Sequence, residues 1–518
     1  MSVTLLQGLI LALIVFAFAW DARWECFFVF HPIIVCFVTG LVLGDWKLGL
    51  EAGAIAELSY LGLTTVGGTV PPNALIAGLM TVVLAYKSGV SAETALGLSL
   101  PFALLMQWIV IACQSLFSGF NVKVEQAIKQ NDIKKFKFYV FLPEIILTSL
   151  YAVVAFLSTY ALQNVLSKFV NSFPEFVSHG FEIAGGLLPG LGLALLLKVM
   201  VKKENVPYLI IGFLVMSIMK PDNVLPVALF AIALVLIDFM RDKEAQEVKM
   251  MAKEYNETTN KLTNKDLKKL GLRSMFYQTG FTFEKMQGNS FGWSILPGLE
   301  KIHGKDSEEV SKALDEYGVD FINTEQHAAS FLMGLVLSME ENRADRKLIK
   351  NMKTGLFGSF AGIGDAIFWF TLLPISGSIA ASLCKQHSIL GPIFFLAFWI
   401  LMAVSRVFFL KAGYKLGSGA ISKLTENAKA LTKGAGILGV MVVGAMIPSY
   451  VTFAFPEKLK LFGTVGVQSI FDSVIPNLLP ALFVGILYYI FKKKKVSIVV
   501  LILAIIAFAI LMSLLGWL

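Results

Sequence analysis

Charged residues are scarce in this sequence, which limits the classes of protein it can belong to. They make up 15% of the 518 residues, and 56% are hydrophobic, whereas about a quarter of an average soluble protein is charged. A mean hydropathy of +0.72 excludes an ordinary soluble protein. The basic residues behind the formal charge of +8 cluster between apolar runs, as in loops that follow the positive-inside rule, so no nucleic-acid partner is expected.

Motifs for metal, cofactor and nucleotide chemistry are missing as well. The five histidines lie far apart, and no G-x-x-x-x-G-K-[ST] phosphate loop is present. The cysteines lie apart in apolar sequence without the pairing of a metal or redox motif, and we expect them to be packing residues: Cys26, Cys36, Cys113 and Cys384. The sequence therefore predicts no metal site, no cofactor and no catalytic residues of its own.

Long apolar runs are what the sequence has instead. Val496 to Leu518 is uncharged and would cover about 34 Å as a helix, enough to cross a hydrocarbon core of about 30 Å. Residues 1–20 have no basic residue ahead of them and no cleavage site, so we expect a retained first span. Other apolar stretches lie around 32–44, 74–86, 96–117, 138–160, 183–200, 208–237, 331–339, 355–383, 389–410, 435–454 and 470–491.

A charged segment divides these runs into two membrane domains. Residues 238–273 hold nine Lys or Arg and seven Asp or Glu, which a bilayer would not accept. We predict an all-α polytopic membrane protein with a domain at 1–237, a cytoplasmic linker at 238–273 and a second domain at 274–518. The second domain begins with an amphipathic cytoplasmic or interfacial region at 274–330.

The orientation follows from the other basic segments. Each is separated from the next by two apolar runs, so all can lie on the cytoplasmic side with the linker. They are Lys123 to Lys137, Lys198 to Lys203, Arg343 to Lys353, Lys411 to Lys433 and Lys492 to Lys495. This arrangement predicts that the C-terminus lies outside.

The first half contains a broken segment with polar residues at membrane depth. The stretch from Gly62 to Pro72 holds three glycines and two prolines, and broken helices in both halves of a membrane protein point to a transporter's binding site. We predict Glu57, Thr69 and Asn73 as binding residues. Two alternatives stay open: Glu57 forms a structural hydrogen bond, and Asn73 caps the next helix.

The second half offers a matching set. Asn323, Thr324 and Glu325 precede an apolar run, and Asp365 follows two glycines within another run. We predict that all four line the binding region and that the chain breaks at Asp365, a buried structural carboxylate being the alternative. Glu340, Glu341 and Arg343 adjoin a basic loop and are expected to form a solvated helix end.

At these residues the sequence resembles the membrane subunits of the mannose-type sugar phosphotransferase system, enzyme IIC followed by enzyme IID. The IIC-like segments are Leu43-Gly44-Asp45-Trp46-Lys47-Leu48-Gly49, the Glu57 segment, Gly67-Gly68-Thr69-Val70-Pro71-Pro72 and Ile183-Ala184-Gly185-Gly186. The IID-like segments are Leu272-Arg273-Ser274, Phe283-Glu284-Lys285-Met286-Gln287, Asn323-Thr324, Glu340-Glu341-Asn342-Arg343-Ala344 and Gly362-Ile363-Gly364-Asp365-Ala366-Ile367-Phe368-Trp369.

The resemblance implies a permease of the bacterial inner membrane that is not an enzyme on its own. The two halves would share one site for a hexose or amino sugar and move it by an elevator-type motion, through broken or re-entrant helices, within a homotrimer in contact with membrane lipid. A phosphohistidine on a separate enzyme IIB, charged by IIA or as a IIAB protein, would then phosphorylate the sugar in the cytoplasm.

Departures from the family pattern bear on the substrate. The family commonly has Asp at the position of Asn73, and Glu325 stands where the family has Gln. We hypothesise that Glu325 restores the acceptor lost at Asn73. On physical grounds alone an ion-coupled secondary transporter is the alternative function, and a membrane receptor or scaffold is a third.

Overall fold

Nearly all of the chain is helical in the computed structural model. The structure describes residues 2–63, 70–165, 168, 172–221, 224–244, 262–305, 307–417, 421–456, 459–461, 465–494 and 496–518. The predicted binding residue Thr69 and the middle of the charged linker lie outside these residues.

The helices of the first half follow one another with short connections. They are α1 Leu5–Trp24, α2 Pro32–Leu43, α3 Trp46–Tyr60, α4 Ala74–Ser88, α5 Ala92–Phe117, α6 Gly119–Lys129, α7 Ile133–Phe156, α8 Glu175–Met200, α9 Val206–Met219 and α10 Leu225–Glu244. A π-helical turn, Leu157–Ala161, extends α7, and a 3-10 turn, Lys203–Asn205, precedes α9. Helices α9 and α10 cover the apolar stretch at 208–237, and α10 continues into the predicted linker as far as Glu244.

The second half begins with short helices and ends with long ones. They are α11 Asn264–Arg273, α12 Gly288–His303, α13 Glu308–Ala313, α14 Gln326–Glu341, α15 Arg346–Gly364, α16 Leu373–Lys385, α17 Leu390–Leu416, α18 Ile421–Tyr450, α19 Val467–Val474, α20 Leu478–Lys493 and α21 Ile498–Leu515. A 3-10 turn, Ser274–Phe276, and π-helical segments, Leu314–Gly318 and Asp365–Leu372, join some of them. Two short strands, β1 Lys460–Leu461 and β2 Val465–Gly466, pair in antiparallel fashion.

The helices support the prediction of a polytopic membrane protein. Within the described residues, eight helices are long and apolar enough to cross a membrane. A ninth span results if α19 and α20, which meet at a bend of 82°, are counted together. The four cysteines are buried and free, as expected of packing residues.

The corner between α2 and α3 shows what the first IIC-like segment does. Gly44 has a φ of +86° at the end of α2, a backbone conformation that favours glycine. The side chain of Asp45 then caps α3 by accepting from the N–H of Leu48. A Cβ on Gly49 would stand 2.6 Å from the carbonyl oxygen of Cys36, so only glycine lets the two helices approach this closely. This corner fixes the helix that carries Glu57.

The expected break after Glu57 is present on both sides of the undescribed residues 64–69. Helix α3 ends at Tyr60, and residues 70–73 are non-helical before α4 begins at Ala74. Gly62 lies against the backbone of α8, because a Cβ there would come within 1.8 Å of the carbonyl oxygen of Gly192. The turn that follows α3 is therefore in tight backbone contact with α8.

The expected break at Asp365 takes a different form. Helix α15 continues through Gly362 and Gly364 into the π-helical segment Asp365–Leu372 and then into α16. The helix is thus wound more loosely at this point but is not interrupted. π-helical turns of this kind are frequent at functional sites.

The two halves share their apolar interior. One cluster of buried side chains joins α2, α3, α4, α5 and α8 of the first half to α16 and α18 of the second. A second cluster joins α6 and the start of α7 to α12, α14 and the end of α17. The two halves are distinct in the sequence, but their side chains pack together in both clusters.

The expectation of a solvated helix end is wrong for Glu340 and Glu341, whereas Arg343 is exposed. Both glutamate side chains are 4% exposed. Glu340 accepts from His303 at 2.8 Å and from Arg346 at 3.0 Å, while Glu341 accepts from the N–H of Leu262 at 2.9 Å. Glu341 thus anchors Leu262 within the predicted linker, and Leu262 and His303 are too distant in sequence to be inferred as partners from it.

Candidate functional site

A loop between α1 and α2 forms the first-half side of the candidate site. The buried carboxylate of Asp21 accepts three backbone N–H bonds from Cys26, Phe27 and Val29, at 2.8 to 3.2 Å. Three such bonds on one carboxylate define the path of the loop, since few other conformations bring three N–H groups to one side chain. The side chain of Glu25 leaves this loop toward the second half.

Glu25 is bound by groups of the second half. Its carboxylate accepts from the amides of Gln278 and Gln326. Its backbone carbonyl accepts from the guanidinium of Arg406 at 2.5 Å. The Arg406 side chain is 2% exposed and lies within α17, so a buried cation of the second half faces the first.

Glu325 and Asp365 meet next to Glu25. Glu325 caps α14 by accepting from the N–H groups of His327 and Ala328, and its other oxygen contacts Nδ1 of His327 at 2.7 Å. A Cβ on Gly364 would stand 2.4 Å from the Cβ of Glu325, so the end of α15 lies directly against it. Asp365 follows at once, half-buried and close enough to interact electrostatically with both Glu325 and Glu25.

The environment shifts the pKa values of Glu325 and Glu25 in opposite directions. Burial alone would raise the pKa of Glu325, but His327 and a backbone N–H outweigh it and hold that pKa below its ordinary value. Burial is also the largest influence on Glu25, and it raises the pKa of that carboxyl to about 7 despite the bond from Gln278 and the charge of Arg406. Carboxyl groups with such different surroundings are typical of functional sites.

Aromatic rings adjoin the carboxylates. Phe28, in the same loop as Glu25, stacks on Trp399 with ring centroids 3.8 Å apart. Trp369, four residues after Asp365, lies 5.3 Å from Phe28, and Phe368 stacks on His327 at 3.7 Å. Acidic and amide acceptors beside aromatic faces suit a ligand that has both hydroxyl groups and apolar C–H faces.

Glu57 lies nearby but is already engaged. It is fully buried, with one oxygen 2.8 Å from Nδ1 of His31 and the other accepting from the N–H of Ile33 at 3.2 Å. This geometry matches the structural alternative for Glu57. His31 also stacks against Phe28, so the pair connects Glu57 to the aromatic rings rather than to the carboxylates.

The remaining predicted residues are spread around this cluster. Asn73 caps α4 through the N–H of Ile76 at 3.0 Å and donates to the hydroxyl of Tyr151, which matches the capping alternative. Thr324 is buried, and its N–H donates to Gln287 at 2.9 Å, whereas Asn323 is exposed. The structure thus brings Glu325 and Asp365 together and leaves Asn73 in a separate contact.

Four polar members of the cluster were not predicted from the sequence: Glu25, Gln278, Gln326 and Arg406. Arg406 carried a usable signal, because it is a single cation within an apolar run and ionisable residues at such positions mark functional sites. Glu25 and Gln278 carried none, since they stand outside the apolar runs and meet only across 253 residues of sequence.

The arrangement lacks the features of a metal centre. Within the described ranges, no group of three or more His, Cys, Asp or Glu side chains could hold a metal ion. The acceptors are instead separated by amides and by the Arg406 guanidinium. These groups can bind and orient hydroxyl groups through charge-assisted hydrogen bonds.

Each half of the chain matches the model of a known protein family. The model of the sorbose-specific IIC component of the phosphotransferase system matches residues 5–237, and that of the mannose/fructose/sorbose family IID component matches residues 261–518. The chain belongs to the mannose, fructose and sorbose family of phosphotransferase permeases. It is a IIC component followed by a IID component, so it is a multi-span sugar permease of the bacterial inner membrane.

Individual relatives agree with this assignment. Residues of the first half are 45% identical to N-acetylgalactosamine permease IIC component 1 of Escherichia coli K12, over 48% of this chain and 92% of that protein. The mannose-specific EIID component of the same strain is 31% identical over 46% of this chain and 88% of its own length. A cryo-EM structure of the mannose transporter ManYZ with microcin E492 is 28% identical, covers 51% of this chain and 99% of its own, and has a TM-score of 0.30.

The raised pKa of Glu25 predicts that acid stabilises the protein. The folded state binds a proton on Glu25 up to about pH 7, whereas an unfolded chain releases it near its ordinary pKa of 4.5. This contribution to the free energy of unfolding is therefore full below pH 4.5 and is lost as the pH rises to 7. We expect the melting temperature of the purified permease to fall over this range, and Glu25→Gln to flatten that part of the profile. An unchanged slope in the variant would assign the pH dependence to other groups.

Proposed function

We propose that this permease binds a hexose or amino sugar at the junction of its halves and delivers it to the cytoplasm for phosphorylation by a separate enzyme IIB. The observation that carries the proposal is that Gln278, Gln326 and Arg406 of the IID half donate hydrogen bonds to Glu25 of the IIC half. Glu325 precedes Gln326 directly, and Asp365 is close enough to interact electrostatically with Glu25 and Glu325. A substitution of a site residue in either half is expected to reduce uptake of the same sugar.

The proposed contacts follow from the chemistry of each group. Asp365 is half-buried and is the carboxylate of the cluster for which the structure gives no hydrogen bond among the described residues, so it is free to accept from sugar hydroxyl groups. Gln326 and Gln278 hold Glu25 in place, and Trp369 offers a face for the sugar ring. Asn323 and Thr324 remain candidates at the edge of the cluster. Thr69 remains a candidate from the sequence alone. Glu57 and Asn73 would act by fixing the first-half helices.

The remaining parts of the proposal concern assembly and transport. We propose an elevator-type movement within a homotrimer, with the linker in the cytoplasm and the C-terminus outside. The domain division at 1–237, 238–273 and 274–518 belongs to the same proposal. The basic segments at Lys198 to Lys203 and Lys492 to Lys495 support the orientation, and the loosely wound segment Asp365–Leu372 supports a movable site.

The decisive experiment measures both uptake and the chemical form of the product. Vesicles containing the permease would receive labelled N-acetylgalactosamine, N-acetylglucosamine, galactosamine and mannose, with and without phosphorylated IIB inside. We expect phosphorylated sugar to accumulate only with IIB, and to persist when an uncoupler removes the ion gradients. The N-acetylated sugars head the panel because of the 45% identity of the IIC half to an N-acetylgalactosamine permease component.

Two outcomes would contradict the proposal. Accumulation of free sugar without IIB that collapses with the gradient would identify an ion-coupled secondary transporter. Absence of uptake of any sugar, in vesicles whose permease is folded by thermal melting, would favour a receptor or scaffold.

A further inference from the structure

A cavity next to α11 lies outside the sugar site and contains two basic side chains. It has a volume of about 280 Å³ and is lined by Asp266, Lys269, Leu270, Arg273 and Pro297. Arg273 belongs to the Leu272-Arg273-Ser274 segment that marks the IID half in the sequence, and the proposed sugar site makes no use of it.

The Arg273 guanidinium is held in place but not fully satisfied. It lies over the ring of Trp293 at 3.5 Å from the centroid, and its Nε donates to the carbonyl of Trp293 at 2.9 Å. Its Nη2 is buried and has no hydrogen-bond partner in the described part of the chain. Burial lowers the pKa of Arg273 to about 10, against the opposing effect of Glu300. A partly buried guanidinium with one unused donor fits an anion.

The acids around the cavity already have cations of their own. Asp266 pairs with Lys301 at 2.5 Å, and Glu300 approaches Lys137 at 4.0 Å. Among the residues that the structure describes, Lys269 and Arg273 take part in no ion pair. Glu300 acts electrostatically on Arg273 without a hydrogen bond to it, so the Lys269 ammonium and the Arg273 Nη2 donor remain for a bound anion.

The position of α11 places this cavity at the edge of the membrane. Gly271 lies against α17, where a Cβ would stand 2.7 Å from the Cα of Val407. Val407 comes one helical turn before Lys411, the first basic residue after the apolar part of α17. The outer face of α17 is apolar and exposed, with Phe408 70% and Leu401 61% accessible. The sequence of α17 thus changes at this level from an exposed apolar face to the basic residues Lys411 and Lys415, a pattern typical of the end of a membrane span.

We propose that Arg273 and Lys269 bind the phosphate group of an anionic phospholipid of the cytoplasmic leaflet. Basic pockets beside membrane helices on this side suit such headgroups, and Arg provides the forked donor geometry that phosphate accepts. The same phosphate chemistry exists in inorganic phosphate and in sugar phosphates. The lipid is favoured because large apolar side chains are exposed close by, Leu272 next to Arg273 at 42% and Phe408 next to Val407 at 70%.

The test compares three probes on the full-length permease in a neutral detergent. Phosphatidylglycerol, phosphatidylcholine and inorganic phosphate are titrated, and binding is followed by native mass spectrometry and thermal melting. We expect saturable binding and a raised melting temperature with phosphatidylglycerol alone. Lys269→Gln should weaken that binding about fivefold, as expected for loss of one basic residue at a membrane surface, and Arg273→Gln should weaken it at least as much.

Lys268→Gln is the matched control, because Lys268 is an exposed neighbour on α11 that does not line the cavity. Equal losses with Lys268→Gln and Lys269→Gln would show diffuse attraction to the surface and overturn the proposal. Equal stabilisation by inorganic phosphate would overturn the lipid assignment in favour of a soluble phosphate. Since Arg273→Gln removes the Trp293 stacking as well, Lys269→Gln keeps the test valid if that variant does not fold.

Discussion

Asp365→Asn is expected to reduce sugar uptake by about tenfold to a hundredfold while leaving the permease folded. The change keeps the shape of the side chain but removes a charge for which the structure gives no hydrogen-bond partner among the described residues. A hydrogen bond to a charged group contributes about 1.5 to 3 kcal/mol, which corresponds to this range. The loss should appear in the apparent affinity for sugar, measured as the concentration dependence of IIB-dependent uptake.

Asp345→Asn is the matched control for this change. Asp345 is exposed and caps the start of α15, the helix whose end leads to Asp365. Asn is as good a helix cap as Asp, so both uptake and melting should stay as in the unmodified permease. Normal uptake by Asp365→Asn would remove Asp365 from the sugar site, and a large drop in its melting temperature would give it a structural role instead.

Glu325→Gln tests a different property. Both oxygens of Glu325 are engaged, by His327 and by backbone N–H groups of α14. The hypothesis that it replaces an acceptor lost at Asn73 therefore competes with a capping role. If Glu325 caps α14, this variant should lower the melting temperature as well as uptake, whereas Asp365→Asn should lower uptake alone.

The sequence was most informative where the signal lay within one short stretch of the chain. The long apolar runs predicted the spans, and the glycines and prolines after Glu57 predicted where α3 ends. Asp365 was identified as a candidate because a carboxylate within an apolar run is costly. Its π-helical surroundings were not predicted, because a π-helical turn has no local composition that distinguishes it from the α-helix on either side.

The contacts that define the candidate site could not be predicted, since they join distant parts of the chain. Glu25 meets Gln326 across 301 residues and Arg406 across 381. A structural hydrogen bond was the alternative for Glu57, but the partner His31 is not distinguishable in the sequence from the other histidines. Glu340 and Glu341 show the same limit, because a basic neighbour in sequence predicted solvent whereas the fold supplied buried partners.

Gly413→Ala is expected to be among the most destabilising single changes, because it separates the helices that hold the second-half side of the site. A Cβ on Gly413 in α17 would stand 2.0 Å from the carbonyl oxygen of Phe331 in α14, and Gly334 approaches Leu410 equally closely. The backbones themselves are in contact at this crossing, so no side chain can move aside. Overpacking costs about 3 kcal/mol at its upper typical range.

The same crossing aligns Arg406 on α17 with Glu325 and His327 at the start of α14, where Nε2 of His327 contacts the carbonyl of Met402 at 2.9 Å. Gly413→Ala should therefore lower both the melting temperature and sugar uptake. Gly485→Ala in α20 is the control, because a Cβ there meets nothing within 4 Å and Ala favours a helix by up to about 1 kcal/mol. Equal melting temperatures for the two variants would mean that α14 and α17 do not cross in backbone contact, and the alignment of Arg406 with the carboxylates would then need another cause.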